Sequence, residues 1–278
     1  MPRTITVCHS PDSDDAFMFY ALASGKIDTG DLRYEHVLQD IESLNQRALR
    51  GELEVTAVSI HAYAYLADRY ALLPHGASMG ERYGPRLVAR APLTRAQVKG
   101  ARIAIPGLMT SAYLALRLFE PDFVAVPTPF DQIEAAVANG SVDLGLLIHE
   151  GQLTFGDQGL HLISDLGEWW YGETSLPLPL GGNVVRKDLG SGLIGQLSRH
   201  LRESIAYSLD HRGAALDHAM QYARGLERHM ADAFVGMYVN QRTLNYGEDG
   251  RAAVRLFLKR GFESGVIPHE VRVEFVEE

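Results

Sequence analysis

The chain has 278 residues, of which 46% are hydrophobic and 22% charged, and its formal net charge at pH 7 is −9. This length and balance are typical of one large or two small globular domains, and they exclude disordered, collagen-like and disulfide-stapled chains. No basic run is present, so the chain lacks the positive stripe that nucleic-acid binding needs. The single cysteine, Cys8, excludes an internal disulfide and a cysteine-rich metal site, which favours a reducing compartment.

The first residues do not resemble a secretory leader, because the apolar stretch before Asp12, Asp14 and Asp15 is too short. No later segment reaches the roughly 18 apolar residues of a membrane span. We therefore expect a cytoplasmic protein whose partner is a small molecule, with neither a membrane nor a nucleic acid involved.

Strand-like and helix-like segments alternate along the first two thirds of the chain. Ser13 is a plausible N-cap for the first helix, with Asp14 and Asp15 in its first turn. The predicted strands cover residues 4–8, 54–60, 101–105, 124–126 and 142–148. The first predicted helix begins at Ser13. The later predicted helices cover residues 40–50, 110–119, 130–138, 193–209 and 252–258. This alternation predicts an α/β fold with mixed, mostly parallel sheets flanked by helices.

Two stretches of the chain, 41–60 and 133–149, follow one scheme: a helix, a glycine, a short apolar strand and a polar residue. If they belong to two related lobes, Ser59 and His149 stand at near-equivalent strand ends. Ligands of open α/β sheets bind beyond the carboxyl ends of the strands, so both residues would then face one cleft.

The lobe boundaries are predicted from two extended segments, 86–91 and 183–186, that are flanked by Pro and Gly. We interpret them as the crossings between lobes. Lobe 1 is then discontinuous, with residues 1–89 and 184–278, and lobe 2 covers residues 90–183. The substrate cleft is expected between them.

His149 is the most informative single residue, because it ends an apolar run typical of a central strand. Imidazole is suited to proton transfer near neutral pH, although a histidine here could also simply cap the strand.

Thr110 and Ser111 follow a predicted strand and open a helix, where hydroxyls and free N–H groups make an anion site. An ordinary N-cap needs only one of the two. Asp12, Asp14 and Asp15 lack the spacing of a calcium loop, and helix capping explains them more simply than a metal site. No metal or organic cofactor is expected.

Several ordered sequence blocks are more specific together than any one alone. They are Ser10-Pro11 before Phe17-x-Phe19-Tyr20, Asp40-Ile-Glu-Ser-Leu-Asn45, Gly84-Pro85-x-Leu-Val-Ala-Arg90, Ile105-Pro-Gly107, Thr110-Ser-Ala-Tyr113, Ile148-His-Glu150, Asp165-Leu-Gly-x-Trp169-Trp170 and Leu176-Pro-Leu-Pro-Leu-Gly181. In these blocks, along nearly its whole length, the chain resembles the 1,4-dihydroxy-6-naphthoate synthases of the futalosine route to menaquinone. The resemblance implies a two-lobed fold like that of type II periplasmic binding proteins. It also implies a lyase that converts cyclic dehypoxanthine futalosine to 1,4-dihydroxy-6-naphthoate and releases a sugar-derived fragment.

The resemblance also implies site residues. His149 matches the family's proposed base, Thr110 and Ser111 match its substrate-contacting hydroxyl pair, and Ala57, Val58 and Ser59 fall on its other substrate-binding stretch. The chain departs from the family at Ala57, where Lys is common. It also departs over residues 10–17, where the usual Ser-Pro-Cys-Pro-Asn-Asp-Thr-Phe reads Ser-Pro-Asp-Ser-Asp-Asp-Ala-Phe.

Two other functions remain open from the sequence. The pathway's chorismate dehydratase is a fold relative whose N-terminal pattern is less similar. A cytoplasmic protein that binds a small carboxylate without catalysis would use the same two-lobed architecture.

Overall fold

The computed structural model describes residues 2–223 and 225–277. The strands are β1 (Arg3–His9), β2 (Leu32–Leu38), β3 (Val55–Ser59), β4 (Tyr70–Leu72), β5 (Ser78–Gly80), β6 (Arg86–Ala89), β7 (Arg102–Ile105), β8 (Val124–Pro127), β9 (Leu144–Leu147), β10 (His161–Asp165) and β11 (Leu178–Arg186). The α-helices are α1 (Ser13–Met18), α2 (Tyr20–Ala23), α3 (Ile41–Leu49), α4 (Ile60–Tyr63), α5 (Ser111–Phe119), α6 (Ile133–Ala138), α7 (Gly151–Thr154), α8 (Leu166–Thr174), α9 (Ser191–Asp210), α10 (Arg212–Ala219), α11 (Arg228–Tyr238), α12 (Gln241–Leu244) and α13 (Gly247–Glu263). Short 3₁₀ helices cover Arg95–Gln97, Phe130–Gln132, Phe155–Gln158, Lys187–Leu189 and Met220–Tyr222.

Two mixed sheets with flanking helices form the two lobes. The first sheet has the order β2-β1-β3-β11-β4, with β5 also paired to β11, and the second has the order β8-β7-β9-β6-β10. Among the described strands, β11 in the first sheet and β6 in the second run against their neighbours. The two sheets therefore share one strand order, which makes β3 equivalent to β9 and supports the predicted relation between the lobes.

The two crossings between lobes come earlier in the chain than predicted. Strand β6 pairs with β9 and β10, so it belongs to the second lobe, and the chain crosses over residues 81–85. Strand β11 begins at Leu178 and pairs entirely within the first sheet, so the return crossing precedes it. The predicted lobe limits at 89/90 and 183/184 are therefore wrong. The strand pairing places β6 in the second lobe and all of β11 in the first.

The first crossing packs closely against helix α8, which precedes the return crossing. A Cβ added at Gly167, in α8, would overlap the carbonyl oxygen of Tyr83 on the first crossing. A Cβ added at Gly84 would lie 3.0 Å from the Gly167 nitrogen. Both positions therefore favour glycine, because a side chain at either one would crowd the backbone of the neighbouring segment.

One apolar cluster extends through both lobes. Its buried members include Val58, Leu72 and Val184 from the first sheet, Leu87, Ile103 and Leu146 from the second, and Trp170 and Phe257 from helices α8 and α13. The Trp170 and Phe257 rings meet edge to face with their centroids 5.4 Å apart. Helix α13, whose Phe257 belongs to this cluster, thus helps to hold the two sheets together. In the described part of the chain, no helix is both long and apolar enough to cross a membrane.

Candidate active site

A cleft between the two sheets brings together all six site residues predicted from the sequence. Ala57, Val58 and Ser59 come from the end of β3 in the first lobe. Thr110 and Ser111 come from the start of α5, and His149 follows β9, both in the second lobe. The shared strand order explains the arrangement, since the carboxyl ends of β3 and β9 face the same space.

The cleft is rich in carboxylates. Asp12, Asp14 and Asp15, around the start of α1, line it together with the predicted residues. Among the described residues, those lining this cleft include no Lys or Arg. No described group of three or more His, Cys, Asp or Glu side chains is arranged to hold a metal ion.

His149 is paired with Asp12 across the cleft. Its Nδ1 lies 2.9 Å from Asp12 Oδ2, and the two side chains are 15% and 2% exposed, respectively. The Phe130 ring and the imidazole meet edge to face, with centroids 4.7 Å apart. Because Nδ1 faces a carboxylate, it carries the proton and donates to Asp12, which leaves Nε2 as the unprotonated ring nitrogen.

The charges around His149 favour its protonated form. Burial alone would lower the pKa of His149, but the negative charge and hydrogen bond of Asp12, together with Glu150 and Asp14, raise it above the usual 6.5. Burial raises the pKa of Asp14 well above its ordinary value, and the charges of Asp15 and Asp12 add to this. Burial also raises the pKa of Asp15 to about 6, against the opposing hydrogen bond from the Ser10 backbone N–H.

The turn that carries His149 is held in a strained backbone conformation. His149 has φ of 61°, in the left-handed region that non-glycine residues rarely adopt. In the orientation that satisfies both ends of its amide, Gln152 accepts the His149 backbone N–H (3.2 Å) and donates to the Gly84 carbonyl (2.7 Å). The hydroxyl of buried Tyr238 lies 2.8 Å from the same amide. Such strain persists at functional sites where the surroundings over-determine the geometry.

Contacts that bridge the lobes at this point include the Asp12–His149 pair and a hydrogen bond from Ser13 Oγ to Glu150 Oε1 (3.3 Å). Asp12 and Ser13 belong to the first lobe, whereas His149 and Glu150 follow β9 of the second. The imidazole is therefore oriented by the opposite lobe.

Thr110 and Ser111 have different local roles. Thr110 is the N-cap of α5, and its hydroxyl accepts the Tyr113 N–H (3.2 Å) and donates to the Gly107 carbonyl (2.8 Å). The Ser111 hydroxyl donates to the Leu180 carbonyl (2.6 Å) and accepts the His61 N–H (3.1 Å). Both hydroxyls thus hold the floor of the cleft in place, and α5 directs its N-terminal end toward the cleft.

The other predicted stretch is anchored from α3. Buried Asn45 accepts the Ser59 N–H (2.9 Å) and donates from Nδ2 to the Ser59 hydroxyl (3.1 Å). Ala57 is paired in register with Asn183 of β11, and both line the cleft.

Sequence reasoning missed several residues of this site. The N-cap of α1 is Asp12, and Ser13, the predicted cap, is the first helical residue. The Asp12 side chain makes no capping hydrogen bond, because it is directed to His149 instead. The departure from the family at residues 10–17 was the available signal for Asp12, whereas nothing in the sequence pointed to Asn183 or Tyr238.

Comparison with known proteins identifies the family. The family described as "Menaquinone biosynthesis" matches residues 5–263. A 1,4-dihydroxy-6-naphthoate synthase of Thermus thermophilus is 44% identical over 249 residues, which cover 89% of this chain and 90% of the relative. The synthase of Streptomyces coelicolor is 37% identical over 271 residues, which cover 95% of each chain.

The chain belongs to the 1,4-dihydroxy-6-naphthoate synthase family. The resemblance predicted from the sequence blocks is thereby confirmed, and the family is one of enzymes. A crystal structure of a protein from Archaeoglobus fulgidus is 47% identical to this naphthoate synthase family member, with a TM-score of 0.91 over 95% of this chain and 98% of the other.

More distant structures share the fold. An alkanesulfonate-binding protein of Xanthomonas axonopodis has a TM-score of 0.70 at 13% identity and covers 98% and 96% of the two chains. A Candida albicans protein described as having the generic periplasmic-binding-protein fold has a TM-score of 0.67 at 13% identity over 99% and 98%. The predicted fold class is confirmed.

Proposed function

We propose that this naphthoate synthase family member converts cyclic dehypoxanthine futalosine to 1,4-dihydroxy-6-naphthoate in the futalosine route to menaquinone, with His149 as the general base. The reaction is a carbon–carbon lyase reaction that releases the sugar-derived fragment. Two synthases at 44% and 37% identity over most of the chain support the substrate. A cytoplasmic location is part of the proposal.

The observation that carries the assignment of the base is the Asp12–His149 pair in the cleft. Asp12 holds Nδ1 at 2.9 Å and fixes the tautomer, so that Nε2 is free to take a proton. A base whose pKa lies near the working pH combines a sufficient unprotonated fraction with a strong drive for proton transfer. The pKa of His149 is raised above 6.5, toward a neutral working pH.

The chemical sequence needs one proton removed and one returned. His149 Nε2 takes a proton from the substrate, and the electron pair left behind forms a new π bond as the carbon–carbon bond to the sugar-derived fragment breaks. The electron pair of the broken bond stays with the other fragment, the one without the new π bond, and that fragment takes the proton back from His149. Formation of the aromatic bicyclic product favours the cleavage.

The remaining residues bind and orient the substrate. Ser59 and the backbone at Ala57 and Val58 form one side of the cleft, and Thr110 and Ser111 at the start of α5 form the other. We assign the positioning of substrate oxygens to the Ser59 hydroxyl and to the N-terminal end of α5, which the Thr110 and Ser111 hydroxyls hold in place, and this positioning lowers the entropic part of the barrier.

The test is an anaerobic incubation of the wild type with cyclic dehypoxanthine futalosine, followed by chromatography for 1,4-dihydroxy-6-naphthoate. His149→Ala is expected to lose about 10²–10⁴-fold in rate while it stays folded, since this is what a positioned base typically contributes. His229→Ala is the matched control, because His229 is exposed and outside the cleft.

Three results would count against the proposal. Full activity of His149→Ala would remove His149 as the base. A rise in the wild-type melting temperature without product would favour a binding protein of the same fold. Turnover of chorismate instead would favour the dehydratase.

A further inference from the structure

Asn183 is a buried cleft residue whose side-chain amide is only half satisfied. It lies in β11, is 1% exposed, and donates from Nδ2 to the Gly76 carbonyl (3.3 Å). Its Oδ1 has no hydrogen-bond partner in the part of the chain that the structure describes. Buried acceptors are almost always paired in native proteins, so an unpaired one at a ligand cleft calls for a donor from the ligand.

The amide cannot turn away from this position easily. Gly76 has φ of +82°, and a Cβ added there would overlap Asn183 Nδ2. Because Gly76 has no side chain, the Asn183 amide can lie against its backbone. The hydrogen bond from Nδ2 to the Gly76 carbonyl then leaves Oδ1 as the unpaired end of the amide.

Asp14 contributes a second unpaired acceptor. Its half-buried carboxyl lines the same cleft and accepts no hydrogen bond from residues 2–223 or 225–277. Met18, one helical turn after Asp14, lies with its Sδ 3.5 Å from Asn183 Nδ2. Asp14, Met18 and Asn183 therefore form one side of the cleft, which we name the acceptor wall.

Resting on the proposed function, we infer that the acceptor wall binds hydroxyl groups of the sugar-derived half of the substrate. Hydroxyls are donors that pair with Asn183 Oδ1 and the Asp14 carboxyl, whereas a ligand carboxylate is an acceptor only and would leave Asn183 Oδ1 unpaired. The carboxylate-bearing ring then faces the opposite side, at Thr110 and Ser111. The substrate has one orientation in the cleft.

The raised pKa of Asp14 is compatible with this role. A carboxyl accepts a hydroxyl hydrogen bond in its ionised form and retains an acceptor oxygen in its protonated form. The conservative change Asp14→Asn also keeps an acceptor oxygen, so it separates the hydrogen bond from the charge.

The experiment measures binding by calorimetry in the His149→Ala background, which prevents turnover. The ligands are cyclic dehypoxanthine futalosine and 1,4-dihydroxy-6-naphthoate, and the second lacks the sugar-derived half. Asp14→Ala and Asn183→Ala are each expected to weaken substrate binding about 10–100-fold and to leave product binding unchanged. Asp14→Asn is expected to restore most of the substrate affinity. Asp68→Ala, at an exposed residue outside the cleft, is the control.

Equal losses for both ligands, or no loss for the substrate, would overturn the inference. If Asn183→Ala fails to fold, the pair Asp14→Ala and Asp14→Asn decides it, because Asp14 makes no hydrogen bond that folding depends on. Failure of the proposed function would give a different result, since the wild type would then form no product from the substrate.

Discussion

At the scale of single residues, the charge of Asp12 sets how His149 titrates. Asp12 lies 2.9 Å from Nδ1 and favours the imidazolium, so it raises the pKa of His149. A general base works only when unprotonated, so activity falls as the pH drops through this raised pKa. The acid limb of the pH profile of kcat/KM should accordingly lie above the ordinary 6.5 of histidine.

Asp12→Asn removes that charge and keeps the shape of the side chain. The pKa of His149 then falls, and the acid limb of kcat/KM moves to lower pH. The plateau rate is expected to fall about 10–100-fold, because a charge-assisted hydrogen bond that orients the imidazole is lost. Steady-state rates across the pH range of both proteins measure the two effects together.

The control is Asp68→Asn, which should leave the profile as it is. An acid limb that stays in place in Asp12→Asn, or moves to higher pH, would show that His149 is not the titrating base.

The sequence predicted some residues of the cleft and not others. His149 was predictable, because a polar residue abruptly ends an apolar strand. The pairing of Asp12 was not, since an aspartate at a helix start has a simpler explanation as a cap. Asn183 carries no local signal at all, because its position depends on which strand pairs with β3.

At the scale of elements, the regular amphipathic helices and buried strands were predictable. Helix α3 begins after Asp40, whose carboxylate accepts the Ser43 N–H (3.0 Å), and it lies within the predicted range 40–50. Edge strand β8 was predicted over residues 124–126, but edge strands β2, β4 and β10 were missed. Strand β2 at the edge of its sheet is mostly half-buried or exposed, so it has no apolar run to detect.

Helix α13 was predicted only over its apolar centre, and that centre is where it stabilises the fold. Phe257 is fully buried against Trp170 of α8. We expect Phe257→Ala to lower the free energy of unfolding by about 3–5 kcal/mol, measured by urea denaturation. Phe262→Ala, in the same helix but 40% exposed, should change it little. Equal losses in the two variants would contradict the role given to the buried face.

At the scale of the whole molecule, the apolar cluster through both sheets joins the lobes into one cooperative unit. Thermal unfolding should show a single calorimetric transition with equal calorimetric and van't Hoff enthalpies. Two separated transitions would mean that the lobes are energetically independent, as they are in many two-domain proteins.

The lobe limits were the least predictable whole-molecule feature. Strands β6 and β11 are both extended and buried, and each directly follows a crossing. A single strand's hydrophobic pattern does not identify the sheet that it joins, because either sheet would bury it equally well. Only the pairing of β6 with β9, and of β11 with β3, resolves the question.

The position of β11 in the first sheet also bears on how the chain folds as it is synthesised. Every strand of the second sheet, β6 to β10, leaves the ribosome before β11 does. Until then β3 has β1 on one side and an unpaired edge on the other, a state that invites association with other chains. The second lobe is therefore complete first, and the first lobe keeps this exposed strand edge until β11 has been made.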